Sequence, residues 1–158
     1  MKRKKTQARS IVLADPSRWS EASQGSVSAH WTREYRDIEY SCLNCRAKAV
    51  FSDEDQKHTY EVKKASIDQQ RILCTDCWKR SIVLIREIGS CEERWAESKA
   101  DLQKDGEFLS KWLKLLEDRE NYVRSRPNTA AKNMLRKLLH KLAEQAIPAD
   151  RGERRRSR

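Results

Sequence analysis

Cys42-Leu43-Asn44-Cys45 and Cys74-Thr75-Asp76-Cys77 are two C-x2-C pairs separated by 28 residues. Two thiolates three positions apart on a tight turn both reach one ion at about 2.3 Å, and a second such turn completes a tetrahedron. The spacing therefore predicts one structural Zn²⁺ held by Cys42, Cys45, Cys74 and Cys77. The competing uses of four cysteines are a redox pair, a disulfide pair and an iron–sulfur cluster. A redox C-x-x-C follows a strand in a βαβ unit, and no such unit is visible here. The chain has five cysteines, an odd number that leaves Cys91 over and argues against a disulfide framework. A four-thiolate set also suits iron, which spacing alone does not exclude.

Between the pairs, residues 47–52 and 58–63 carry aromatic and β-branched side chains (Val50, Phe51, Thr59, Tyr60, Val62) around the polar Asp53-Glu54-Asp55-Gln56. They read as short strands around an acidic turn. A module of roughly 45 residues buries too little surface to fold unaided. Structural zinc contributes on the order of 10–16 kcal/mol of apparent binding energy, which becomes folding energy where the unfolded chain has no site. Arg46, Lys48, Lys79 and Arg80 lie close to the ligands in sequence. They are placed to offset the local charge of a tetrathiolate centre.

The same stretch resembles a known family. Tyr35-Arg36-Asp37, then the first cysteine pair, Phe51, Asp55-Gln56, Tyr60, and the second pair followed by basic residues are similar to the zinc-ribbon or treble-clef zinc-binding domains, a mostly bacterial family. The resemblance covers about 45 residues. It implies a first pair on a knuckle, a hairpin-like excursion, and a second pair that opens a helix. Only the four cysteines carry over as functional residues. The chain departs from the family pattern at Arg46, where a small residue often follows the first pair, in lacking a proline between Tyr60 and Cys74, and at Trp78.

Beyond Cys77 the pattern turns helical. Lys79-Arg80 and Arg86-Glu87 bracket Ile82-Val83-Leu84-Ile85 at helical spacing, so residues 78–88 read as a helix. Gly89-Ser90 interrupts, and Ser90 with Glu93 has the spacing of a capping box that starts a new helix. Ile88, Trp95, Leu102, Leu109, Leu116 and Val123 then step by seven, with Trp112 and Leu113 filling the later intermediate positions. This stripe either continues through Gly106 or breaks at Asp105-Gly106. Pro127-Asn128-Thr129 ends it and caps a further helix. In that helix Ala131, Met134, Leu135, Leu138, Leu139, Leu142, Ala143 and Ala146 form one face and Lys132, Arg136, Lys137 and Lys141 another.

The expected architecture is a small α+β zinc module, a zinc ribbon or treble clef with a short β-hairpin plus helix, followed by an α-helical hairpin. Its parts are a basic, Ser-rich, largely disordered tail over 1–34 with Trp19 and Trp31 as anchors, the zinc module over 35–89, the hairpin over 90–147, and a basic disordered tail over 148–158.

Apolar residues make up 37% of the 158 and charged residues an equal share, with a mean hydropathy of −0.95. Material for a large core is scarce. No apolar run nears the roughly 20 residues that span a bilayer, and 11–14 is too short for a signal-peptide core. The expectation is a cytoplasmic protein, nucleoid-associated if its partner is DNA, with no membrane and no small-molecule substrate. The net charge of +10 divides as +3 over 1–41, +2 over 42–80, −3 over 81–123 and +8 over 124–158. A polyanionic partner suits the ends and a protein partner the middle.

Two functions follow. In the first, DNA or RNA is bound largely electrostatically by Arg46, Lys48, Lys79, Arg80, Arg124, Arg126, Lys132, Arg136, Lys137 and Lys141, together with both tails. In the second, the chain is an adaptor whose 88–123 stripe docks a partner helix or a second copy. A treble-clef nuclease is a third, weaker reading. Such enzymes use a histidine and a second metal set, and His30, His58 and His140 form no such set in the sequence, so no enzyme is expected. Cys91, Trp95, Phe108 and Trp112 read as packing residues.

Overall fold

The computed structural model describes residues 11–125 and 128–146. The tails over 1–10 and 147–158, with Arg126 and Pro127, lie outside the described residues. The chain divides into two compact units, 1–75 and 76–158.

The first unit holds two two-stranded antiparallel sheets. β1 (Val12–Leu13) pairs with β2 (Glu34–Tyr35). β3 (Ile38–Ser41) pairs with β4 (Lys48–Phe51) in a register that sets Ile38 against Phe51 and Ser41 against Lys48. The segment 11–34 is not the loose Ser-rich tail its composition suggests. One of its serines serves as a cap: Ser20 accepts from the Ser23 amide at the start of α1 (Glu21–Gln24). The buried Ser23 hydroxyl accepts from the Ile67 amide at 3.2 Å, which ties the segment to the later loop. Trp19 is the anchor, 2% exposed, and its indole N–H donates to the Tyr35 hydroxyl at 2.7 Å. Trp31, the other expected anchor, is 80% exposed.

Trp19, Tyr35, Phe51 and Tyr60 form the core of this unit, with Val12, Ala14, Ala29, Tyr40, Ala65 and Ile67 packed around them. Tyr60 meets Phe51 edge-on at 5.8 Å and Tyr35 at the same centroid distance in a tilted pair. Aromatic pairs in these geometries add about 0.5–1.5 kcal/mol each beyond their burial.

The segment after β4 differs from the expected strands around a turn. Ser52 accepts from the Asp55 amide at 3.1 Å and caps α2 (Asp53–Lys57), whose first turn carries Asp53, Glu54 and Asp55. Carboxylates there complement the positive end of the helix. A π-helical turn, His58–Val62, continues it and turns Tyr60 and Glu61 inward. The expected hairpin exists, but its strands are β3 and β4 and the first cysteine pair lies in its turn.

The second unit is helical. α3 (Thr75–Leu102) runs without interruption past Gly89 and Ser90 and bends at Ser98 (φ −133°, ψ 38°). Glycine in a helix interior costs about 1 kcal/mol relative to alanine, which one position does not convert into a break. The capping-box start at Ser90 is therefore absent. The break falls at Asp105, which accepts from the Phe108 amide at 3.0 Å and caps α4 (Gly106–Arg119). A 3-10 turn, Glu120–Tyr122, follows, and α5 (Thr129–Ala146) begins after Asn128 in the left-handed region (φ 60°).

α5 runs antiparallel to α4. Lys132 pairs with Glu120 and Arg136 with Glu117, while Gly106 at the far end faces Leu142. Leu109, Leu116 and Leu135 are almost wholly buried, joined by Ile88, Leu102, Phe108, Trp112 and Leu115. The seven-residue stripe is thus buried inside this unit through Ile88, Leu102, Leu109 and Leu116, with Trp95 half-buried against the same core.

Candidate metal centre

The first knuckle is the turn between β3 and β4. The Cys42 amide donates to the Ala47 carbonyl at 2.9 Å, continuing the ladder, and the Arg46 amide donates back to the Cys42 carbonyl at 3.0 Å. To close so tightly the chain places Arg46 at φ 62°, in the left-handed region. This explains why a small residue suits the position and shows that arginine is tolerated there at a cost of about 1–2 kcal/mol. The second knuckle leads into α3, whose first residue is Thr75. Two bonds link the knuckles. The Leu43 amide donates to the Ile72 carbonyl at 2.7 Å, and the Tyr40 hydroxyl donates to the Leu73 carbonyl at 3.0 Å.

The result is a cluster in which the sulfurs of Cys42, Cys45, Cys74 and Cys77 all lie within 4.8 Å of one another. Cys45 and Cys74 sulfurs are 3.7 Å apart. A tetrahedron with metal–sulfur bonds of about 2.3 Å has edges of about 3.8 Å, so the donor set fits a Zn²⁺ ion in size as well as in chemistry. None of the four is in a disulfide, with Cys42 and Cys77 buried and Cys45 exposed. Burial pushes the Cys42 thiol up, but amides of Cys74, Cys45 and Asn44 donate to its sulfur and bring it down to about 6. A sulfur surrounded by N–H donors is held as the thiolate that a metal requires. Asn44, inside the C-x2-C loop, is the contributor that the sequence did not single out. Its part is played by the backbone, which carries no side-chain signal.

Residues 36–82 match the family model described as "Probable treble clef domain". This segment is a treble clef. Comparison with curated proteins and with solved structures gave no match. The treble clef takes in the β3–β4 hairpin, α2, the π-helical turn and the first turns of α3, and the four-cysteine cluster supports one structural zinc.

Each expected cation can now be placed. Arg46 and Lys48 on the treble clef's first knuckle, and Lys79 and Arg80 after Cys77, are exposed and form no ion pair among the described residues. Arg124, Lys137 and Lys141 are exposed, and Arg126 lies outside the described residues. Lys132 departs from the expectation: it is 5% exposed and its ammonium is held by Glu120. An ammonium buried in a pair with a carboxylate does not face a phosphate, because leaving that carboxylate unpaired is costly. Arg136 is likewise engaged, donating to Glu117 at 2.6 Å, although it stays exposed.

The three histidines lie on separate elements and all are exposed: His30 ends a 3-10 helix, His58 opens the π-helical turn, and His140 sits 3.5 Å from Glu144 on α5. Cys91 is 6% exposed in the helical core, and burial raises its thiol above the usual value, as expected of a packing residue.

Proposed function

We propose that the protein is a zinc-stabilised nucleic-acid-binding module that grips phosphates through cations on its two knuckles and carries out no catalysis. The observation that supports this most is the state of Arg46, Lys48, Lys79 and Arg80. Each lies within three residues of a zinc ligand, is exposed, and has no ion pair among the described residues. The tetrathiolate centre, with a charge near −2, leaves a net positive charge from these four cations. The role assigned to α5 shrinks to Lys137 and Lys141, since Lys132 and Arg136 answer carboxylates of α4.

Binding of this kind is governed by counterion release, so log K falls linearly with log salt, by about 0.9 per neutralised phosphate on a duplex. Fluorescence anisotropy of zinc-loaded protein with a mixed-sequence oligonucleotide across a salt series tests the reading. Alanine at any of the four cations should weaken binding and lower the salt slope by about one. Absence of binding at low ionic strength would end it.

A protein-interaction reading no longer rests on the 88–123 stripe, most of which is buried in the helical core. It rests instead on Trp78, Val83 and Ile85, which stand about half exposed on α3. Concentration-dependent mass in sedimentation, abolished by Trp78→Ala, would favour it over the nucleic-acid reading.

A further inference from the structure

A cavity of about 560 Å³ opens on the helical unit beside the first turns of α3. Its size is within the roughly 300–1,000 Å³ usual for sites that hold a small organic group. The apolar part of its lining is Val83 and Leu84, one turn beyond the two cations Lys79 and Arg80. The opposite wall comes from the end of α4 and the 3-10 turn after it, through Asp118, Asn121 and Tyr122. Three features of that wall matter. Tyr122 offers an aromatic ring that is half exposed. Asn121 donates to the Asp118 carbonyl at 3.3 Å, and among the described residues nothing donates to its side-chain oxygen. The Asp118 carboxylate has no cationic partner among the described residues.

The charges narrow the occupant. Lys79 and Arg80 attract an anion and repel a cationic peptide. Asp118 repels an anion and asks for a hydrogen-bond donor. A simple anion satisfies only the first, and an acidic side chain entering the cavity meets the carboxylate. A nucleotide satisfies both, because its phosphate is negative while its base carries N–H donors on its edges and has a flat, apolar face. A base paired and stacked in a duplex cannot present that face, so the strand must be single.

We propose that this cavity takes one unstacked base of a single-stranded nucleic acid, stacked on Tyr122 against Val83 and Leu84, donating to Asp118 and Asn121, with the adjoining phosphate on Lys79 and Arg80. The inference rests on the nucleic-acid reading and adds to it a strand class and a base-binding site.

The test uses the zinc-loaded full chain and measures anisotropy with a labelled 15-nucleotide DNA strand, the same sequence in RNA, and the DNA duplex. Tyr122→Ala should weaken both single strands by about tenfold or more, since stacking on one aromatic ring accounts for that range, and leave duplex affinity within about twofold. Tyr122→Phe should bind as wild type. Arg46→Ala, at a residue that does not line the cavity, should weaken single strand and duplex alike. Because Tyr122 is half-buried, Val83→Asp supplies a second arm: it adds a carboxylate at a half-exposed position and should reproduce the selective loss. Any difference between the DNA and RNA strands identifies the sugar preferred. Wild type binding its probes while Tyr122→Ala and Val83→Asp lose nothing, or lose single strand and duplex equally, overturns the base site and leaves the nucleic-acid reading standing. Wild type binding no probe overturns both.

Discussion

The two units of this chain solve the problem of a small core differently. The first assembles its core from four aromatic rings far apart in sequence, Trp19, Tyr35, Phe51 and Tyr60, under strands of two and four residues. Polar links tie these parts together: Ser23 to Ile67, Glu61 accepting from the Asp15 amide at 2.9 Å, Gln56 donating to the Phe51 carbonyl at 2.9 Å, and the knuckle bonds. The second unit has long helices and one contiguous apolar core from Ile88 to Leu135, in which Leu109 and Leu135 are fully buried. A few polar bonds between short strands contribute about 1 kcal/mol each, too little to hold the first unit without an ion. The helical unit needs none.

The comparison is broken most directly by taking the ion away. Chelation, or Cys42→Ser, should release on the order of 10 kcal/mol of stabilisation. In hydrogen exchange, the amides of 38–74 should lose protection while those of α4 and α5 keep theirs. Loss of protection in α4 and α5 to the same extent would show that the helical unit is not self-sufficient.

The reverse experiment is Leu109→Ala in α4. Deleting a fully buried leucine should cost about 2–5 kcal/mol, lowering the unfolding midpoint of the helices while the protein still carries its zinc. A variant that lost the metal would contradict the division of labour.

pH sharpens the contrast further. Burial pushes the Tyr35 phenol up to about 12 from its ordinary 10.0. A folded value above the unfolded one means that its contribution is complete below pH 10 and lost as the pH rises towards 12. Tyr40 and Tyr60 are shifted upward for the same reason. Stability of the first unit should therefore fall over that window, less steeply in Tyr35→Phe, as read by exchange protection of its amides against pH.

The smallest effects lie in single turns. Asp105→Ala removes the cap of α4 and should cost about 1 kcal/mol, measurable as a lower thermal midpoint of the helices. Arg46→Gly relieves the left-handed strain of the first knuckle and should raise the stability of the zinc module by about 1 kcal/mol. A destabilised Arg46→Gly would mean that the arginine side chain does more at that turn than occupy it.

These particulars also mark how far the sequence could be read. The four cysteines were legible because a metal imposes a fixed reach on its ligands, and that constraint is local in each pair. The faces of α4 and α5 were legible because burial on one side repeats along the chain. The core of the first unit was not, because the pairing of Trp19 with Tyr35 across 16 residues leaves no periodic trace. Ser52 was readable as a cap only once the acids after it were taken as a first helical turn rather than a loop. Gly89 looked like a stop because a glycine's cost is local, whereas Ile88 and Cys91 on either side of it are buried in the helical core. Lys132 looked like a surface cation because Glu120 lies 12 residues away. Of the expected binding residues, those beside the knuckles kept their freedom and those facing α4 did not.

X-ray absorption at the zinc edge on protein purified under reducing conditions tests the central claim most directly. Four sulfur neighbours at about 2.3 Å, and one ion per chain, are the result predicted by knuckles that already bring their sulfurs within 4.8 Å of one another. A first shell with nitrogen or oxygen in place of a sulfur, or protein free of zinc whose cysteines are nonetheless reduced, would contradict it.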